Sequence, residues 1–148
     1  MPSTLRTLAT IGGTVAAGGP DSVLLAVLLV ADARVELARG GTPTLDELLD
    51  TGVPDGDLVC AVTVDTDGEV ATAATGRTPA DVPIVAAVAR TAPDGRRLAL
   101  TGVAARVLRV DPDDPTAGLD PPGDFRGSGA YRRHLAATLA RRALEGLR

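Results

Sequence analysis

Ile84-Val85-Ala86-Ala87-Val88-Ala89-Arg90 and Arg97-Leu98-Ala99-Leu100-Thr101-Gly102-Val103 flank the turn Pro93-Asp94-Gly95. Both flanks are aliphatic runs of strand length. The Pro-Asp-Gly between them has a mechanism: proline presets φ, aspartate bonds its own backbone, and glycine accepts a positive φ. Two strands joined by so short a turn run antiparallel. This hairpin decides the fold class.

Working outward, Ala104 to Val110 continues the sheet. On the other side Leu58 to Val64 alternates as a strand, and Asp65-Thr66-Asp67-Gly68 reads as a hairpin leading into Glu69 to Thr75. Arg34 to Ala38 is a further strand, Gly40 to Pro43 a loop, and Thr44 to Leu49 a capped helical turn. Asp21 or Ser22 caps a helix reaching about Val30, after the break Gly18-Gly19-Pro20-Asp21. Leu5 to Ile11 looks extended, with Gly12-Gly13 as a turn. Downstream, Pro112, Pro115, Pro121 and Pro122 keep 111–122 free of helix and strand. Ser128 then caps a closing helix whose stripe of Tyr131, Leu135, Leu139, Ala143 and Leu147 is set to be buried. The expectation is an α+β fold: an antiparallel sheet with flanking helices.

The 148 residues make one large domain or two small ones. Apolar residues are 45% of the chain, yet the only rings besides His134 are Phe125 and Tyr131, so the core is aliphatic and little is present to stack on bases. The net charge of −4 argues against nucleic acid as a partner. That charge is uneven: residues 126–148 carry six Arg against Glu145, or +5, leaving −9 for the rest. The basic helix docks on the acidic body or faces an acidic partner. A single cysteine excludes a disulfide framework, and Cys60, inside an alternating strand, reads as a small buried hydrophobe. The apolar run Val23 to Ala31 is too short to span a bilayer. Ala31-Asp32-Ala33 mimics a signal cleavage site, but the acidic approach at Asp21 favours a buried helix in a cytoplasmic protein.

For chemistry, Thr10-Ile11-Gly12-Gly13-Thr14 stands out, because two glycines let backbone approach a ligand and aim N–H groups at an anion. It is neither a dinucleotide fingerprint nor a P-loop. Ser128 and His134 are six residues apart, about 240° around one helix, so they form no nucleophile–base pair. Asp111, Asp113 and Asp114 read as a solvated loop; Asp65 and Asp67 begin a calcium-loop pattern that lacks its closing Glu. No catalytic side chain and no metal site is expected.

Asp124-Phe125-Arg126-Gly127-Ser128-Gly129-Ala130-Tyr131-Arg132-Arg133-His134-Leu135 resembles the end of the flavoprotein (medium) subunit of molybdenum hydroxylases, the carbon monoxide dehydrogenase and xanthine dehydrogenase family. Thr10 to Gly13 match that family's T-I-G-G-N turn. Pro20, Ser22, Asp32 and Ala33 follow in register, Arg77-Thr78-Pro79-Ala80-Asp81 resembles its R-x-P-A-D, and Thr101 to Ala104 echo its G-G-V-A. The resemblance implies that 1–66 is a truncated second lobe of an FAD-binding domain and 67–148 a CO dehydrogenase flavoprotein C-terminal-like domain. It further implies FAD lined by Thr10, Ile11, Gly12, Gly13 and Thr14, an iron–sulfur small subunit as electron donor and a molybdopterin-binding large subunit behind it.

Several positions depart from the family. Only nine residues precede Thr10, so its glycine-rich first lobe is expected to be missing. Thr14 replaces an Asn, Val23 a cofactor-contacting Asp, and Ala74 a Lys near the flavin. Two readings stand: an FAD-binding electron-transfer component, with a partner chain supplying the first lobe, or a non-catalytic scaffold remnant of that subunit. A surface uncovered by the missing lobe would favour homodimerisation.

Overall fold

A computed structural model describes residues 9–76 and 81–147. Its elements run α1 (Ile11–Ala17), α2 (Val23–Val30), β1 (Arg34–Leu37), α3 (Leu45–Thr51), β2 (Val59–Thr63), β3 (Val70–Thr75), β4 (Val85–Ala92), β5 (Gly95–Thr101), β6 (Leu108–Val110) and α4 (Gly129–Glu145). β1 and β2 form a two-stranded antiparallel sheet, and β3-β4-β5-β6 an antiparallel meander. The fold class is α+β, as the sequence indicates.

The β4–β5 hairpin is the centre of three layers. Val85, Ala87, Ala89, Leu98 and Leu100 face α4, meeting Leu135, Ala136, Leu139, Ala140 and Ala143. Val88 and Ala99 face the other way, toward Leu25, Ala26, Leu29 and Val30 of α2, with Val35, Leu37, Leu45 and Leu48 completing that cluster. Burial on both faces explains why these strands read as continuous apolar runs rather than an alternation. Ser22, not Asp21, caps α2 by accepting the Leu25 N–H at 3.3 Å. Thr44 and Glu47 close a reciprocal capping box on α3.

Five expectations change. Asp65 to Gly68 is not a hairpin: β2 pairs with β1 and β3 with β4, so the segment crosses between the two sheets. The reason is a buried cation. Arg90 Nη2 lies 2.6 Å from Asp65 Oδ2, and its Nε donates to Asp67 O at 2.9 Å, so the acidic turn wraps a guanidinium. Gly12 and Gly13 lie in the first turn of α1, not in a loop after a strand; residues 5–8 of the expected strand fall outside the described residues. Cys60 is exposed, because the β1–β2 register shifts there: Glu36 pairs with Ala61 and Leu37 with Val59, so the alternation breaks at Cys60 and both Val59 and Val62 turn to the core. Tyr131 is also exposed; Arg132 takes its place in the buried stripe of α4. Finally, strand structure after Ala104 is limited to Leu108–Val110. Among the described residues no helix is long and apolar enough to cross a membrane.

Candidate functional site

α1 begins where Thr10 turns extended, with φ −116° and ψ 155°. Its hydroxyl accepts the Gly13 N–H at 3.0 Å, and the Thr14 hydroxyl donates back to Thr10 O at 3.1 Å. A Cβ on Gly12 would sit 3.4 Å from Val59 Cβ of β2, an ordinary packing distance, whereas one on Gly13 would sit 3.0 Å from Thr10 Oγ1, the cap oxygen. Gly13 thus leaves room for the cap to close.

Beside this turn lies a depression of about 330 Å³ lined by Ala9, Thr10, Gly13, Thr14, Ala17, Gly19 and Ser22. Of the five residues singled out from the sequence, Thr10, Gly13 and Thr14 line it. Ile11 projects its side chain to solvent and Gly12 faces Val59. The opposite rim is the Gly19–Ser22 turn, in which the Ser22 N–H donates to Gly19 O at 3.1 Å.

The first turn offers a cofactor room beside small side chains. The backbone N–H groups of its two helical lining residues are used within the chain, Gly13 donating to Thr10 Oγ1 and Thr14 to Thr10 O, each at 3.0 Å. The threonine hydroxyls are already engaged within the chain. The volume is at the small end of the range for ligand sites, about 300–1,000 Å³, so it takes part of a dinucleotide and leaves the rest to a second surface. Val23, the first residue of α2, is packed against the core, and Ala74 is exposed on β3; neither offers a polar group.

The C-terminal motif is a set of clamps. Arg126 Nη1 meets Asp21 Oδ2 at 2.8 Å, and its Nη2 donates to Val82 O at 2.9 Å and Pro83 O at 2.6 Å. Arg132, 4% exposed, donates to Gly102 O at 2.6 Å and to Asp124 Oδ2 at 2.6 Å. Arg133 donates to the carbonyls of Leu119 and Thr116. Much of the helix's positive charge is therefore used inside the chain, while His134 faces solvent. The guanidinium of Arg132, then the N–H groups of Arg126 and Gly127, hold the Asp124 carboxyl below the usual carboxylate range. Of the R-T-P-A-D stretch only Asp81 falls among the described residues.

A second cluster was not legible as a site. Asp32, at φ +50°, receives Arg109 at 2.7 Å, Arg90 at 3.5 Å and Arg97 at 3.6 Å. Beside it is a depression of about 410 Å³ whose walls include Leu29, Ala33, Leu45, Asp46 and Arg109. Hydrogen bonding from Arg90 lowers the Asp65 carboxyl, and hydrogen bonding from Arg97 lowers Asp94. The signal was Arg90 itself: a charge inside an otherwise apolar strand needs carboxylates around it. Among the described residues no group of three or more His, Cys, Asp or Glu side chains is placed to hold a metal ion.

No protein-family model matches the chain. It is 35% identical over 150 residues to the uncharacterized protein YgfM of Escherichia coli K12, and equally to that of strain O157:H7, covering 91% of this chain and 57% of theirs. The chain thus spans less than two thirds of these curated relatives. Its structure is similar to a chain of carbon monoxide dehydrogenase from Hydrogenophaga pseudoflava, with TM-score 0.86 and 20% identity over 99% of this chain and 63% of that one. It is also similar to a chain of quinoline 2-oxidoreductase from Pseudomonas putida 86, with TM-score 0.82 and 19% identity over 99% and 62%. At these identities the likeness is one of fold.

Proposed function

We propose that this chain is the FAD-binding, electron-transfer component of a molybdenum hydroxylase-type oxidoreductase. In this reading 1–66 corresponds to the second lobe of the FAD-binding domain and 67–148 to the flavoprotein C-terminal domain. One observation carries it. The T-I-G-G segment that matches the family's flavin-contacting turn, with Thr14 in place of its Asn, lines through Thr10, Gly13 and Thr14 an open depression at the start of α1. The fold likeness to carbon monoxide dehydrogenase and quinoline 2-oxidoreductase chains supports the same reading.

When bound, FAD supplies the redox chemistry, accepting and passing on electrons. The chain's own part is to bind and orient: the small residues of the α1 turn let a cofactor approach, while the Thr10 hydroxyl accepts the Gly13 N–H and the Thr14 hydroxyl donates to Thr10 O, holding that turn in one geometry. No side chain acts as acid or base. Because the depression holds only part of a dinucleotide, a second surface completes the site. An iron–sulfur small subunit and a molybdopterin-binding large subunit are the partners this role requires.

The second reading, a scaffold remnant, is favoured by the apolar Val23 and Ala74. Visible absorbance after incubation with excess FAD and desalting separates the two. Retained oxidised-flavin absorbance near one cofactor per chain, alone or co-expressed with the partner subunits, is the expected result. A folded chain that is colourless in both preparations overturns the proposal in favour of the scaffold.

A further inference from the structure

The rim of this depression is governed from the far end of the chain. Among the described residues, two long-range polar ties reach the Gly19–Ser22 turn. Gly102 N–H donates to Pro20 O at 3.0 Å, and Arg126 Nη1 meets the Asp21 carboxylate at 2.8 Å across 105 positions. One carboxylate joins them. Asp124 Oδ2 accepts from Arg132, whose Nη1 donates to Gly102 O at 2.6 Å and Ile84 O at 3.2 Å. Asp124 Oδ1 accepts the Arg126 N–H at 2.8 Å and the Gly127 N–H at 3.2 Å. Arg126 is itself braced by the carbonyls of Val82 and Pro83.

We infer that Asp124 and Arg126 are positioning residues for the Thr10–Thr14 depression, fixing the Gly19–Ser22 turn that forms its opposite rim. They touch no part of the depression, which is lined by residues no later than Ser22. They act through Asp21 and through Arg132, Gly102 and Pro20. A charge-assisted bond to a half-buried carboxylate, with two carbonyls holding the guanidinium, gives the turn one geometry. The consequence is that binding at α1 depends on a helix start more than a hundred residues away. As a statement about cofactor binding this rests on the proposed function; as a statement about the rim it does not.

The test compares the wild-type chain with Arg126→Ala, Asp124→Asn and Asp21→Asn. Arg141→Ala removes an exposed i,i+4 ion pair far from the rim and serves as control. Two quantities are read: amide hydrogen exchange by segment, and the FAD dissociation constant. Exchange over 19–25 is expected to rise about tenfold in all three variants while β4 and β5 amides hold, with FAD binding weakened by a similar factor. Arg141→Ala is expected to move neither. Unchanged exchange over 19–25, or an equal rise across the whole chain, overturns the inference. So does a mobile rim with unaltered FAD affinity, an outcome that leaves the proposed function standing. If the wild-type chain binds no FAD either alone or co-expressed with the partner subunits, the proposed function fails, and exchange alone decides whether Asp124 and Arg126 set the rim.

Discussion

The Arg90 guanidinium, 1% exposed on the central strand, lies 2.6 Å from the carboxylate of Asp65, a residue on the crossing between the two sheets. The same guanidinium donates to Val30 O at 3.1 Å and Asp67 O at 2.9 Å. One side chain therefore joins the end of α2, the crossing segment and the meander. Replacing Arg90 with Leu leaves two carbonyls without donors, while Asp32 and Asp65 can turn toward water. The expected loss is about 3 kcal/mol, read from urea denaturation.

Acid is expected to weaken the fold through the same carboxylates. Asp65, Asp94 and Asp124 are lowered in the folded chain, chiefly by hydrogen bonds from Arg90, Arg97 and Arg132. Below the unfolded value, about 3.9, the unfolded chain binds more protons than the folded one. Stability from these groups is thus present above about pH 4 and is lost as pH falls through the lowered values. Thermal melts between pH 6 and pH 2 check this, and Asp65→Asn is expected to flatten the acid limb.

Gly102 sits at φ +71°, and a Cβ there would stand 2.1 Å from Ile84 O. Gly68 sits at φ +82°, and its Cβ would stand 1.9 Å from Thr91 O. Neither obstacle is a flexible side-chain end; both are backbone. Gly102→Ala and Gly68→Ala are each expected to cost about 3 kcal/mol or more, visible as a lower melting temperature. Gly19→Ala, with open space around it, is expected to cost little.

Cys60 is open to solvent on β2. A thiol-reactive dye is expected to label the native chain to completion without denaturant. Protection that disappears only in urea would contradict the exposed placement.

Thr14→Asn and Ala74→Lys together restore two residue types of the family that the sequence resembles. Ala74 is exposed, so a lysine there meets no packing obstacle. If the α1 turn is the cofactor edge, the double variant is expected to bind FAD several-fold more tightly, measured by quenching of flavin fluorescence.

Much of the fold was legible because local rules and tertiary context agree. Ser22, Thr44 and Ser128 each cap a helix, and the Ala92–Gly95 turn joins β4 to β5. The misreadings share a cause, which is a long-range partner overriding a local pattern. Asp65 to Gly68 has hairpin chemistry but is claimed by Arg90. Tyr131 has the helical spacing for burial, yet Arg132 goes inside because Gly102 O and Asp124 await it. Cys60 reads as part of an alternating strand, but pairing with β1 shifts register there and sends Val59 and Val62 together to the core. For the candidate site, the Thr10–Thr14 segment was found as a motif. What the sequence withheld was that Gly13 leaves room for the helix cap and that the rim is tied to the C-terminal helix.

The crossing at 64–69 also orders the assembly of the chain. Within the meander each strand pairs with its neighbour in sequence, and β4 and β5 are separated by two residues, so little chain entropy is lost in closing those loops. Joining α2 to the meander requires contacts such as Arg90 with Val30, sixty positions apart. Contacts between α4 and the meander, such as Arg132 with Ile84, span 48 positions. The meander hairpins are thus expected to form first, with the helices joining on either face afterwards. A ligand seated at α1 would therefore hold in place a part of the molecule that depends on late, long-range contacts.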